Sequence, residues 1–356
     1  HMHFLNYGMK LKPREVYEFN QMDMGVFAHE IMQISMEKIK DGYIDLANIS
    51  DAETVKLTSD IVGSVLDKYS YLTETDRGLF LKKSLESRIN RSLLANIAQI
   101  KGSGFMPDRL EQGYSYNMAL ENGDRISFSG IIDRIDMCTN EDDKYIRVID
   151  YKTGNRYIDL NDVYDGRQLQ MIMYLEGAIQ SIYKDETIIP AGVFISHIND
   201  PVIEYENVSS DVDTEIQKEL SLSGIINSDP DIIELLDRAK TSNLIDKVKF
   251  KKDGSMSKSS AIMMSTEQFA AARNFEVLKI KSIGKKILHG DIEPRPYKKQ
   301  IADVKNPKEN TACQYCDYGN ICSFSYDNKA FKYNNCSKMK TDEIISLITL
   351  KGENNE

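Results

Sequence analysis

Three residues are best placed by type and spacing to do chemistry: Asp133, Asp150 and Lys152. Asp133 closes the run Gly130-Ile131-Ile132-Asp133, and Asp150 follows seventeen residues later as the first residue of Asp150-Tyr151-Lys152. A lone carboxylate followed by an Asp-x-Lys triplet, each ending a hydrophobic run, is the minimal kit for metal-dependent phosphodiester cleavage. The carboxylates can hold one or two hard cations such as Mg²⁺, which prefer oxygen ligands. Such a cation polarises a scissile phosphate and lowers the pKa of the attacking water. Lys152 can orient that water or neutralise charge developing on the phosphorane. An isolated match of this kind more often marks ordinary strand-end carboxylates paired with Arg134 or Lys152.

Two further groupings change that balance. Gly25 and His29 stand at i and i+4 within the amphipathic run Met24–Lys40, so they share one helix face. The glycine lets the backbone come close to a site while His29 reaches in, and a neutral imidazole is a common metal ligand. Gln170 and Tyr174 repeat the i, i+4 spacing in a helix expected over Arg167–Ser181. An amide and a phenol on one face suit contacts to a phosphate or to attacking water. Each pair alone reads more readily as an interior histidine or a polar helix edge. Their order, G-x-x-x-H, G-x-x-D, D-x-K, Q-x-x-x-Y, makes the four signals strong together.

Strands and helices must hold these residues. Residues 126–137 and 145–152 are rich in β-branched side chains and predict two strands, with Cys138–Lys144 as a polar turn. The strands would form an antiparallel hairpin that brings Asp133 beside Asp150. Side chains alternate along a strand, so Asp150 and Lys152 share a face. A short strand, Glu111–Met118, precedes the hairpin, and Ile188–His197 is a further strand-like run. Helices are expected within Ala52–Gly102, notably Asp76–Ile100, and over Thr266–His289. Asp253–Ser260 reads as a loop and Lys351–Glu356 as a polar tail.

The order and spacing of these motifs resemble the RecB-family PD-(D/E)XK nucleases. The resemblance implies that His29, Asp133 and Asp150 ligate metal, Mg²⁺ or Mn²⁺, helped by the backbone carbonyl of Tyr151. It implies Lys152 as the catalytic lysine and Gln170 and Tyr174 as the Q-x-x-x-Y pair. Glu111 is similar in placement to an acidic residue that precedes the hairpin in relatives, and stands with Lys251 and Lys252 among candidate DNA contacts. The fold implied is α/β: a restriction-endonuclease-like mixed sheet of about five strands flanked by helices, with helical insertions and a C-terminal cysteine-rich tail. The chain is expected to form one nuclease domain over 1–356. Its parts are a helical region with His29 (1–107), the catalytic core (108–200), a helical and loop insertion (201–300) and the tail (301–356).

The tail carries Cys313-x₂-Cys316-x₅-Cys322. Soft thiolates at such spacing bind zinc or an iron–sulfur cluster. In RecB-family nucleases with this tail, three C-terminal cysteines join a distant N-terminal one around a [4Fe–4S] cluster that staples the ends of the domain. Here no cysteine precedes Cys138. His1–Met2 reads as a cloning scar. The segment from His3 to Leu11 resembles the one that directly follows the first cluster cysteine in the B subunits of AddAB-type helicase–nucleases. The expectation is a truncated chain that starts just downstream of its fourth ligand, with the cluster absent or labile and the tail poorly ordered. A competing account uses Cys336 as a local fourth ligand for zinc.

With 356 residues, 41% of them hydrophobic, the chain has ample material for a core. It has no apolar run long enough to span a membrane, and unpaired cysteines grouped in a motif suggest a reducing, cytoplasmic setting. The net charge of −10 argues against a general DNA-coating protein. Binding to DNA must instead be local, with Lys251, Lys252, Lys298, Lys299 and the lysines of Thr266–His289 as basic candidates. The length favours the AddAB type over the small CRISPR-associated type. The function implied is exonuclease action on single-stranded DNA, as the nuclease module of an ATP-dependent helicase–nuclease in break resection and recombinational repair. The helicase–nuclease A subunit would be its partner. Two alternatives stand beside it: a stand-alone CRISPR-associated exonuclease, and a nuclease-dead DNA-binding scaffold.

Overall fold

The computed structural model describes residues 4–11, 21–46, 48–67, 75–120, 123–203, 212–238, 240–252, 256, 261–299, 311–319, 321–322, 324–325 and 331–354. At its centre is a mixed sheet of six strands: β1 (Met106–Ala119), β2 (Arg125–Asn140), β3 (Asp143–Lys152), β4 (Ile188–His197), β5 (Ser223–Asn227) and β6 (Ile262–Met264), in that spatial order. β1, β2 and β3 run antiparallel in sequence, β3 and β4 are parallel, β4 and β5 antiparallel, and β5 and β6 parallel. The sixth strand exceeds the expectation because β6 is only three residues long, too short to show a period. Both β5 and β6 come from 201–300, which therefore supplies sheet as well as helix and loop. A small parallel pair, β7 (Tyr297–Lys298) and β8 (Asn334–Asn335), lies apart from this sheet.

One face of the sheet is covered by α1 (Gln21–Lys40), α2 (Asp51–Leu66), α3 (Asp76–Lys101) and, later in the chain, α7 (Pro230–Leu236). These helices share a core with Tyr145, Ile149 and Tyr151 of β3. The other face is covered by α4 (Leu160–Asp165), α5 (Gln170–Gly177), α8 (Thr266–Leu288) and α9 (Thr341–Glu353), packed on Ile146 and Val148. The odd and even residues of β3 thus serve different cores, as alternation requires. α6 (Val212–Glu219) precedes β5. α2 and α8 open on capping boxes, Ser50 with Glu53 and Ser265 with Gln268, each satisfying two otherwise unpaired backbone donors.

Three local expectations are corrected. The hairpin turn is not Cys138–Lys144. Cys138 pairs with Tyr145 and Asn140 with Asp143, so the turn is two residues, with Glu141 at φ +53°. Cys138 is buried, and its burial extends the strand. The stretch from Lys351 is not a polar tail: Lys351, Gly352 and Glu353 end α9. Gly352 packs so tightly that a Cβ there would lie 2.0 Å from the Ala271 carbonyl oxygen. The helix expected over Arg167–Ser181 begins only at Gln170 and continues as a π-helical turn, Ala178–Ile182. The Asp253–Ser260 loop lies outside the described residues except for Met256.

The hairpin itself has a fault that alternation does not foresee. Ile132 and Ile135 of β2 pack in the same core although they are three residues apart. On β1, Tyr114 faces that core while Leu110 packs against the opposite one. Both strands therefore change sides between these residues, at Glu111 and Asp133, which the register sets opposite each other. Glu111 takes up the change with φ +43°, a left-handed conformation that costs a residue with a Cβ.

Candidate active site

The fault in the hairpin is where the chemistry-bearing residues collect. α1 brings His29 Nδ1 to 3.4 Å from Asp133 Oδ2. One ligand atom each from His29, Glu111 and Asp133 lies within 4.8 Å of the other two. Asp133 Oδ2 also accepts a 2.7 Å hydrogen bond from the Tyr151 backbone N–H. That bond ties β2 to β3 beyond their last ladder pair, Arg134 with Ile149, so Asp133 and Asp150 stand side by side as the hairpin argument requires. The His29 ring stands edge-on to the Tyr151 ring, with centroids 5.9 Å apart. Gly25 faces Thr153 on the residue after the triplet, but a Cβ there would be at an ordinary 3.8 Å, so glycine is not required for that approach.

Asp150 is 1% exposed, and its Oδ2 lies 2.6 Å from Lys152 Nζ. Neither oxygen accepts a hydrogen bond of good geometry. Burial, followed by the charge of Asp133, pushes the Asp150 carboxyl up to about 6, against the opposing pull of Lys152. Burial and the same Asp133 charge raise Glu111. Burial acts to lower the His29 pKa, but the hydrogen bond and charge of Asp133, with Glu111 and Asp150 behind them, outweigh it and leave it raised. In all three shifts the negative charge of Asp133 acts in the same sense, adding to burial at Asp150 and Glu111 and overcoming it at His29.

From the opposite face, α5 presents Gln170, whose Nε2 donates to Tyr174 Oη at 2.5 Å. Burial leads in pushing the Tyr174 phenol up to about 12; the Gln170 bond opposes it, and Asp150, Asp133 and Glu111 add to it. Tyr174 is thus a neutral donor within electrostatic reach of all three carboxylates. Its ring stands edge-on to Tyr114, centroids 6.1 Å apart. Gly130 and Gly177 make the slot for Tyr114: a Cβ at either would meet its side chain at 2.9 Å and 2.3 Å respectively. The G-x-x-D glycine therefore acts through an aromatic neighbour of the Q-x-x-x-Y tyrosine. Asp150, Lys152 and Gln170 line one cavity of about 130 Å³ with Arg156, Tyr157 and Gln168.

Other expected residues lie elsewhere. Lys251 and Lys252 are exposed in the loop before β6, and among the described residues neither bonds to the site. Glu111 stands with the metal-type group rather than apart from it as a DNA contact. The Tyr151 carbonyl stays beside Asp150 within β3, where Tyr151 registers with Ser196. Cys313, Cys316 and Cys322 line a cavity of about 260 Å³ together with Leu5 and Phe324. Tyr318 Oη bonds to the Asn6 side chain there, so the start of the described chain docks on the tail. Cys336 lines a different cavity, next to Thr311 and Gln314.

Missed in the sequence is a buried ion network behind the site. Arg134 donates Nε and Nη2 to the two oxygens of Asp136, each at 2.6 Å, and Nη1 to Asn96 Oδ1 at 2.9 Å and Tyr151 Oη at 3.3 Å. Arg147 Nε adds 2.8 Å to Asp136 Oδ2. The network grips the ring of Tyr151, whose backbone holds Asp133. Charged residues at alternate positions of an apolar strand, Arg134 and Asp136, were the available signal.

The PD-(D/E)XK nuclease superfamily model matches residues 2–323. The chain is 31% identical over 371 residues to the B subunit of the ATP-dependent helicase/deoxyribonuclease of Clostridioides difficile (strain 630), covering 99% of this chain and 31% of that protein. It is 30% identical over 360 residues to the protein of the same name from Thermoanaerobacter sp. (strain X514), covering 97% of this chain and 30% of that protein. The chain thus spans less than a third of the length of these relatives. Among the described residues no helix is long and apolar enough to cross a membrane. With the family match running through the hairpin, its carboxylates and the Asp-Tyr-Lys triplet, this chain is a member of the PD-(D/E)XK nuclease superfamily.

Proposed function

We propose that this chain hydrolyses phosphodiester bonds of DNA, acting as an exonuclease on single strands. It would be the nuclease module of an ATP-dependent helicase–nuclease, working with a helicase A subunit in break resection and recombinational repair in the cytoplasm. The observation that carries the reading is the grouping of His29, Glu111 and Asp133 at one fault in the sheet, with the buried Asp150–Lys152 pair on the neighbouring strand. The site fits a hard divalent cation, Mg²⁺ or Mn²⁺. Its donors are carboxylates and one imidazole, and the buried Asp150 carboxylate has an oxygen, Oδ1, without a partner. His29, Asp133 and Asp150 are the proposed ligands, with the Tyr151 carbonyl and Glu111 beside them. When bound, the cation supplies Lewis-acid polarisation of the phosphate and acidification of water. Lys152, held by Asp150, places a positive charge where the phosphorane develops negative charge. Gln170 and Tyr174 supply neutral donors from the far face.

Degradation of end-labelled single-stranded DNA in Mg²⁺ or Mn²⁺ tests this directly. EDTA should abolish it, and Lys152→Ala should lower the rate by about 10² or more. Degradation that survives both changes, or its absence in the wild type, removes the nuclease reading and leaves the scaffold one.

Cys313, Cys316 and Cys322, which line one cavity, are the proposed thiolate ligands of a [4Fe–4S] cluster. Cys336 faces another cavity, which weighs against a local zinc site. The full-length protein prepared anaerobically should hold about four irons per chain. Stoichiometric zinc without iron would overturn the cluster.

A further inference from the structure

We infer that the loop Asn155–Tyr157 is the platform on which a single DNA strand lies beside the cleavage site, with Tyr157 stacking on a base and Arg156 contacting a phosphate. The inference rests on reading Asp150 and Lys152 as the reaction centre. The cavity that holds those two residues shares Arg156, Tyr157, Arg167 and Gln168 with a larger one of about 780 Å³, so the two adjoin at this loop. The larger cavity runs from Asn155–Tyr157 to Tyr297 and Thr311.

Tyr157 is 55% exposed, yet its loop is tied down at three points. The buried His197 places Nε2 2.9 Å from the Arg156 carbonyl oxygen. Gln168 donates Nε2 to the Tyr157 carbonyl at 3.0 Å and accepts from the Asp159 N–H at 2.9 Å. The His197 ring packs against the Tyr157 ring from within, tilted by 47°, with centroids 4.8 Å apart. Burial lowers the His197 pKa, so this backing ring is uncharged near neutrality. An exposed aromatic ring with a fixed backbone and one backed face loses little entropy when a base stacks on it.

The charges around the loop fit the same occupant. Arg156 is exposed, and among the described residues its guanidinium forms no ion pair. Of the acidic residues of the groove, Asp162 is paired with Arg167, and Asp159 caps the next helix, its Oδ1 accepting from the Asn161 N–H at 2.9 Å. What the groove offers a ligand is therefore a free positive charge beside a free π-face. Base-paired DNA keeps its base faces stacked inside the helix, so only an unpaired strand can use both.

Fluorescence anisotropy with a labelled oligo-dT in EDTA, where hydrolysis is off, reads binding alone. Tyr157→Ala should weaken binding about tenfold, and Tyr157→Phe should keep wild-type affinity, because the ring and not the hydroxyl stacks. Arg156→Ala should weaken binding and reduce the salt slope by about one. Metal-dependent degradation of the same oligonucleotide by the wild type is run in parallel. Wild-type degradation with unchanged binding in Tyr157→Ala overturns the platform and leaves the nuclease standing. Equal loss in Tyr157→Ala and Tyr157→Phe, or no binding by the wild type, also overturns it. Absence of wild-type degradation removes both readings.

Discussion

Asp136→Ala is expected to destabilise the fold by about 3–5 kcal/mol, seen as a large fall in the urea midpoint with the far-UV signal as readout. Asp136 is fully buried between Arg134 and Arg147, which are themselves fully buried. Burial alone would raise its carboxyl pKa, but the charges of the two guanidiniums outweigh that and hold it lowered. Removing it leaves two cations facing each other in a dry interior, and neither can lose its proton. Arg134→Met should cost less, because the Asp136–Arg147 pair survives it. The same linkage sets a pH signature. Asp136 contributes its stability above the carboxylate range of an unfolded chain, and that contribution is lost as pH falls through the lowered folded value. Equal losses from Asp136→Ala and Arg134→Met would show that the network is not organised around the carboxylate. Because Arg134 also bonds to Tyr151, whose N–H holds Asp133, loss of activity should accompany the loss of stability.

Glu276→Met is expected to do the opposite and stabilise the protein, by on the order of 3 kcal/mol at pH 8 and by much less at pH 4. Glu276 lies on α8 with no exposed surface, and neither of its oxygens has a hydrogen-bond partner. Burial pushes its pKa up to about 8, only partly opposed by Lys279. The folded state then keeps a proton that the unfolded chain releases above the ordinary carboxylate range. Stability must fall as pH rises from there to about 8, since the folded state binds more protons over that window. Replacing the group removes both the ionisation penalty and the orphaned oxygens. Unfolding free energies measured at pH 5 and pH 8 decide it: the wild type should lose stability between them, and Glu276→Met should lose less. Parallel curves for the two proteins would mean that the carboxyl has a partner or reaches water.

The motifs were legible in the sequence because each depends on short spacing. His29, Asp133, Asp150, Lys152, Gln170 and Tyr174 sit on the elements expected for them, and the antiparallel hairpin and the β4 strand stand where β-branched runs placed them. What escaped depends on contacts between distant residues. The change of sides at Asp133 is invisible because the run from Ile126 to Met137 has apolar residues at both parities. Cys138 read as part of a turn because its neighbours are polar, although its partner Tyr145 buries it. The Thr341–Glu353 helix has a helical apolar period, but its last residues, from Lys351, are polar and read as a tail. By its position before the hairpin Glu111 reads as a DNA contact, whereas it stands beside His29 and Asp133 at a left-handed backbone position. Tyr157 and Gln168 carry no motif at all; their pinning appears only once β4 delivers His197 beneath the loop.

His29 belongs to the helices on one side of the sheet, and Gln170 and Tyr174 to those on the other, with Asp133 at the crossing. The centre is thus assembled from two cores on opposite faces of the sheet. Opening either layer dismantles it, even while the remaining one stays folded. Activity therefore behaves as a coincidence detector for the integrity of both halves, and a strand meets a working blade only when the whole molecule is closed.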